Sequence, residues 1–373
     1  MKILQVSSYA PPMTGGSETF CFGLSRRLHK LGHDVTVWTS RLPKNSLKVD
    51  YKEGFPVKRF FCASRVLEVN PAFLILPDLF RAMAEFDIVH SHSYIYFCSN
   101  QLAICRTVRS FPYILHLHGG LGKLNSFSGT FRPVLKEAYD RTLGKFTMKM
   151  ADRIISVSSA DADVAVERFS VDANKIVVIP NAVDTGRFQR TRVENRGFAT
   201  YIGRLVAWKG CAQMPYIFNT LAANGVDTRV VGDGPYFSFL RRRCPSTEFT
   251  GYLPPSKIPD VLRDTSVLVL PSFLEGLPTV CLEAMSAGVP SVAYDVGGVA
   301  EVVRNGVTGY TVEVGNSAAL VRACCVLFKN HERYREMSER CFHIARSKYD
   351  WSSVTKRIVC EYEKVIAKRT QDH

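Results

Sequence analysis

The chain has no apolar run approaching the ~20 residues that cross a bilayer as a helix. Its longest apolar patch, Pro71 to Phe80, is interrupted by Pro77 and Asp78. That argues against a membrane-spanning protein. The cysteines offer no C-x2-C pair, and the adjacent Cys324 and Cys325 cannot serve as the two ligands of such a knuckle, so a zinc ribbon is not expected. H-E-x-x-H is missing, which removes the helical zinc-protease pattern, and G-x-G-x-x-G is missing, which removes the dinucleotide fingerprint. No repeat, low-complexity tract, RNP motif or helix-turn-helix signal occurs. Acid is scarce relative to base: 34 Asp+Glu face 48 Lys+Arg, for a net charge of +14.

What is present is a globular composition. With 46% hydrophobic and 22% charged residues, a 373-residue chain can bury substantial cores, and two or three domains are expected. The positive balance favours anionic partners such as nucleotide phosphates or lipid head groups. Nucleic acid is not expected, because no recognition motif accompanies the charge. Met1-Lys2-Ile3-Leu4-Gln5-Val6 runs straight into a strand with no signal peptide ahead of it. The cysteines, odd in number at 11, are scattered. We therefore expect free thiols, mostly filling cores, in a cytoplasmic protein.

Short β-rich runs alternate with helical patterns. The first series comprises strands near Lys2–Ser7, Asp34–Thr39, Val57–Phe61, Ile88–His90, Tyr113–His118, Ile154–Val157 and Lys175–Ile179. A second series holds Phe198–Ile202, Thr228–Val231, Val267–Leu270, Ser291–Tyr294 and Thr308–Val312. This rhythm implies an α/β fold of parallel βαβ units. The polar, aperiodic stretch Asn181–Arg196 is read as the break. The expected organisation is a Rossmann-like domain (1–185), a second Rossmann-like domain (186–350), and a final helix (351–373) that packs back on the first.

Four segments carry candidate chemistry. In Pro271-Ser272-Phe273-Leu274-Glu275-Gly276-Leu277-Pro278, a loop between a strand and a helix holds Glu275, and Glu283 follows eight positions later within the helix. Ligands of open α/β sheets bind at the carboxyl ends of strands, and helix amide groups there face phosphate. Gly203-Arg204-Leu205-Val206-Ala207-Trp208-Lys209-Gly210 places two cations five apart on a loop after a strand, where both can reach a diphosphate leaving group. Pro11-Pro12-Met13-Thr14-Gly15-Gly16-Ser17-Glu18 is a glycine turn that lets the backbone approach a phosphate. Finally, His90-Ser91-His92 and His116-Leu117-His118 each aim two imidazoles to one face of a strand. Two such pairs could ligate zinc, as in a metal-dependent hydrolase.

Taken in order, these segments resemble the retaining glycosyltransferases of family 4, which have the GT-B fold of two Rossmann-like domains facing across a cleft. The E-x7-E element, the G-R-L-x-x-x-K-G loop, the P-P-x-x-G-G-x-E turn, His118-Gly119-Gly120, Asp87-Ile88-Val89-His90-Ser91-His92 and Val231-Gly232-Asp233-Gly234-Pro235 all fit, and the likeness runs from Met1 to the final helix. The resemblance implies a sugar transferred from a nucleotide-diphosphate sugar to a glycan or lipid-linked acceptor. By it, Arg204 and Lys209 hold the diphosphate and Glu283 holds the ribose. Glu275 holds the sugar with backbone help from Gly276, Leu277 and Pro278, while Gly15 and Gly16 face the donor and His118 lies beside the transferred sugar. With two cations at the leaving group, no metal and no cofactor are expected.

Two enzymatic alternatives remain: the hydrolase using the His-x-His pairs, and a nucleotide-sugar epimerase of the same fold. The stretch Phe111–Lys149 interleaves Lys123, Arg132, Lys136, Arg141, Lys145 and Lys149 with apolar residues. It can rest on an anionic membrane surface, or it is a solvated helix face with a core side.

Overall fold

The computed structural model describes residues 1–11, 15–52, 54–66, 70–119, 121, 131–190 and 197–371. The chain divides into two compact units, Met1–Pro180 with Val354–His373, and Asn181–Ser353.

The first unit contains β1 (Lys2–Val6), β2 (Asp34–Ser40), β3 (Val49–Lys52), β4 (Phe55–Phe60), the paired β5 (Cys62–Val66) and β6 (Asn70–Phe73), β7 (Ile88–His92), β8 (Tyr113–Leu117), β9 (Arg153–Ser156) and β10 (Ile176–Val178). Its main sheet is ordered β10-β9-β8-β7-β1-β2-β4-β3. All neighbours are parallel except β3 on β4, at the edge. Helix Gly16–Lys30 follows β1 because Phe20, Leu24 and Leu28 recur every four residues and are buried as one stripe. Its end is set by Gly32, at φ +85°, where the N–H of Gly32 bonds the carbonyl of His29 and that of His33 bonds Leu28.

The second unit contains β11 (Phe198–Ile202), β12 (Thr228–Val231), β13 (Thr247–Gly251), β14 (Thr265–Leu270), β15 (Ser291–Tyr294) and β16 (Gly309–Val312), all parallel in the order β13-β12-β11-β14-β15-β16. Counted from β11 this is the doubly wound order 3-2-1-4-5-6. Strands in such sheets are covered on both faces, so they read as unbroken apolar runs. β14 is buried at every position. So are β7 and β8, although those two carry three histidines. Burying that much imidazole has a cost.

The final helix, Trp351–Gln371, starts in the second unit and joins the first from Val354 onward. There Arg153 pairs with Glu361 at 2.6 Å, Arg357 donates to the Val178 carbonyl at 2.6 Å, and Arg369 meets Asp152 at 3.4 Å. The units meet in sequence at Pro180/Asn181 and Ser353/Val354, a few residues from the 185/186 and 350/351 boundaries read from the sequence. Residues 181–190 are not a free linker. Asn181 donates to the Leu277 carbonyl at 2.8 Å, Thr185 donates to Asp350 at 2.6 Å, and Phe188 is buried. Residues 191–196 of the proposed break lie outside the described residues. The sequence reading missed β3, β13 and the β5–β6 pair; β3 and β13 are edge strands, and half-polar edges do not give an apolar run.

Among the described residues, no helix is long and apolar enough to cross a membrane. The cysteines are all free thiols, and only Cys325 and Cys360 are not buried.

Candidate active site

In the second unit the strand order reverses between β11 and β14, so the loops leaving those two strands open a crevice at their carboxyl ends. The loop after β11 carries Arg204 and Lys209. The loop after β14 carries Glu275. Backbone bonds tie them together: Phe273 N–H donates to the Trp208 carbonyl at 2.9 Å, and Leu205 N–H to Asp233, in the turn after β12, at 2.9 Å. Gly210 makes the close approach possible. It sits at φ +75°, and a Cβ there would lie 1.9 Å from the Pro271 carbonyl oxygen.

Within this frame Lys209 Nζ donates to Glu275 Oε1 at 2.5 Å, with the two side chains only 21% and 9% exposed. Arg204 is exposed, with its guanidinium 5.8 Å from the centre of the Trp208 ring. The Arg204 backbone is held by the buried Tyr201, whose hydroxyl donates to its carbonyl at 2.8 Å. Gly276 accepts from Gly298 N–H at 2.8 Å, and Leu277 and Pro278 are buried. Pro278 precedes helix Thr279–Ser286, and no side chain caps that helix. Pro278 thus offers its first amide groups no side-chain acceptor. Glu283 lies inside the helix, half-buried, and burial pushes its carboxyl up to about 7 against the opposing pull of Arg187.

The first unit gathers the histidines. Gln5 on β1 is the register partner of His90 on β7, and His92 is the partner of His116 on β8. Alternation along parallel strands sends these side chains to one face. His118 follows directly after β8, and its ring lies 4.2 Å from that of His116 and 5.1 Å from that of His92. Phe20, on the helix that begins after Gly15, sets an edge against His116 and His118 at 4.9 and 5.3 Å. Burial, reinforced by neighbouring imidazoles, lowers His90 to about 3 and holds His92 and His116 well below the usual range, so these rings are neutral near pH 7. His116 has no hydrogen-bond partner on either nitrogen, and His90 has none on Nε2.

His90, His92 and His116 bring ligand atoms within 4.8 Å of one another, which is the zinc reading of the sequence in its strongest form. Yet His92 Nδ1 is bonded to His118 Nε2 at 2.8 Å and its Nε2 to Gln5 Oε1 at 2.9 Å. An ion on this triad would have to displace one of those partners.

Gly15 and Gly16 are exposed at the start of helix Gly16–Lys30, but the N–H of Gly15 already donates to the buried Glu18 carboxylate at 2.9 Å. Pro12, Met13, Thr14 and Gly120 lie outside the described residues. Arg204, Lys209, Glu275, Gly276, Leu277, Pro278 and Glu283 thus belong to the second unit, and Gly15, Gly16 and His118 to the first. In the basic stretch, Lys136 is paired with Asp140 at 2.6 Å and Arg141 with Glu137 at 2.9 Å. Lys136 and Arg141 are therefore neutralised internally. Lys123 and Phe127 lie outside the described residues.

Residues 14–187 match Glycosyltransferase Family 4, and residues 183–343 match Glycosyl transferases group 1. The chain belongs to glycosyltransferase family 4. This glycosyltransferase is 27% identical to the phosphatidylinositol N-acetylglucosaminyltransferase GPI3 subunit of Saccharomyces cerevisiae, over 99% of this chain and 84% of that protein. Its fold is shared with a sucrose-phosphate synthase from Thermosynechococcus elongatus, at a TM-score of 0.82 and 17% identity over 99% of this chain and 100% of that one. It is shared as well with Anabaena HepE solved in complex with UDP, at 0.76 and 18% over 98% and 100%. The fold is therefore GT-B, with two Rossmann-like domains.

The sequence reading of this glycosyltransferase passed over two residues that the structure brings to the histidines. Gln5 had a signal, since it is the polar residue in the middle of an apolar strand. Tyr362 had none. It is one position on the apolar stripe of the last helix, and only the return of that helix brings its hydroxyl within 2.6 Å of His90 Nδ1.

Proposed function

We propose that this glycosyltransferase takes a sugar from a nucleotide-diphosphate sugar and passes it, with retention at the anomeric carbon, to a lipid-linked or glycan acceptor, without a divalent metal. The observation that carries the donor half is the grouping of Lys209, Glu275 and an uncapped helix start at the β11/β14 switch point. A departing diphosphate develops negative charge, and pre-set cations and helix amides stabilise that charge without reorganising. Arg204 and Lys209 supply the counter-charge that a metal ion supplies elsewhere. Glu283 accepts from the ribose hydroxyls. Glu275 accepts from the sugar hydroxyls, and its bond to Lys209 fixes its rotamer before the donor arrives. His118 lies beside the sugar. The leaving phosphate oxygen takes the acceptor's proton on the face from which it departs, which gives retention.

The lipid-linked acceptor is supported by the likeness to GPI3, whose name specifies a phosphatidylinositol acceptor. It is supported too by Val134 and Leu135, which stand 69% and 49% exposed on helix Phe131–Tyr139. Peripheral contact with an anionic membrane follows as part of the proposal.

A thermal-shift panel of UDP-, GDP- and ADP-sugars tests the donor class. One nucleotide series should raise the melting temperature, and stabilisation by none would remove the proposal. With the donor known, NMR of the product's anomeric proton tests retention. Co-sedimentation with anionic and neutral liposomes tests the surface contact, and equal recovery with both would count against it.

A further inference from the structure

Two features in the first unit serve no step described so far: Tyr362, donated to the sheet by the final helix, and Gln5, buried in β1. They form a continuous chain with His118. Gln5 Nε2 donates to the Tyr362 hydroxyl at 2.9 Å. Gln5 Oε1 bonds His92 Nε2 at 2.9 Å, and His92 Nδ1 bonds His118 Nε2 at 2.8 Å. The proton positions along this chain are not independent. A glutamine oxygen can only accept, so His92 must carry its proton on Nε2. A neutral imidazole carries one proton, so His92 Nδ1 is a lone pair. The proton in the bond between the two rings therefore belongs to His118, on Nε2. The Tyr362 hydroxyl, having accepted from Gln5, is left to donate to His90 Nδ1 at 2.6 Å.

We propose that Gln5 and Tyr362 are positioning residues for His118: through His92 they hold its ring in one orientation and in the Nε2–H tautomer, so that Nδ1 is the nitrogen able to accept a hydrogen bond from a hydroxyl. The catalytic value of this device rests on the placement of His118 beside the sugar, but the device itself does not. It makes the final helix, from another part of the chain, a determinant of which atom His118 offers. The His92, His116 and His118 rings pack within 5.6 Å of one another, and Phe20 closes their edge. Burial keeps the His90 and His92 rings neutral, so His92 relays a tautomer rather than a proton that comes and goes.

The test is long-range nitrogen–proton NMR on the full chain labelled with 15N-histidine. In the native protein His118 should show a protonated Nε2 and a bare Nδ1. Gln5→Met removes the acceptor while keeping bulk, and His118 should then become a mixture of both tautomers. Tyr362→Phe deletes one hydroxyl, frees the Gln5 amide to turn, and should shift the mixture in the same direction by a smaller amount. If Gln5→Met does not fold, Tyr362→Phe decides alone. A native His118 protonated on Nδ1, or a tautomer unchanged in the variants, overturns the proposal. Failure of the donor-site reading would show separately, as His118→Ala retaining full transfer activity while the tautomer result stands.

Discussion

Lys209 Nζ lies 2.5 Å from Glu275 Oε1, a contact between two loops that leave neighbouring strands of the second sheet. The pair sits in a mostly enclosed place, where an unpaired charge is costly. The arrangement has a consequence for ligand binding: an incoming diphosphate competes with Glu275 for the same ammonium group. Glu275→Ala should therefore cut turnover by about two to three powers of ten while leaving nucleoside-diphosphate affinity unchanged or tighter. Parallel steady-state kinetics and calorimetry check this. Equal loss of both would make Glu275 a binding residue only.

Lys209→Ala and Arg204→Ala should each cost roughly 2–4 kcal/mol of transition-state stabilisation. They should differ in a second respect. Lys209→Ala leaves Glu275 without its partner, so it should also lower the thermal stability of the second unit. Arg204 is exposed and its removal should not. Near-normal kcat/KM in either variant would take that residue out of the mechanism.

Glu283 should give the proposed donor site a pH dependence. Its carboxyl is raised to about 7 by burial, so it is protonated on the acid side and becomes a pure acceptor only as pH rises through that value. Affinity for the nucleoside diphosphate should increase from pH 6 to pH 8, and Glu283→Gln should flatten the profile. The stability of the unliganded protein runs the other way. The folded state holds this proton more tightly than the unfolded chain, so the contribution is present below the ordinary carboxylate range and is lost as pH climbs toward 7. Calorimetric titrations and denaturant melts across this range check both slopes.

His116 is fully buried and both its ring nitrogens lack hydrogen-bond partners. One of them must carry a hydrogen, and an unsatisfied buried donor costs ~1–3 kcal/mol. Replacement by a residue of similar size without that donor should recover part of this. His116→Leu should be about 1 kcal/mol more stable by urea melting, an outcome opposite to that of an ordinary core substitution.

EDTA should leave transfer activity intact if, as proposed, Arg204, Lys209 and the start of helix Thr279–Ser286 provide the counter-charge. Loss restored by added zinc would favour a metal on the histidine triad.

Much of the sheet architecture was legible because parallel strands covered on both faces leave apolar runs, as in Val267–Leu270. The strand–loop–helix placement of Glu275 and Glu283 was legible for the same reason, since Gly276 and Pro278 punctuate the loop between them. The Lys209–Glu275 contact was not, because it joins loops 66 positions apart that become neighbours only through the strand order. Nor was the Tyr362–Gln5 bond, which spans 357 positions and depends on where the last helix returns. Local pattern reports which side chains sit at strand ends; which ends become adjacent is decided by topology.

The most direct test is a crystal structure with the nucleotide sugar that the thermal-shift panel selects. The account predicts the diphosphate on Lys209 and Arg204 at the start of helix Thr279–Ser286, with the ribose at Glu283. A diphosphate bound away from these residues would contradict it.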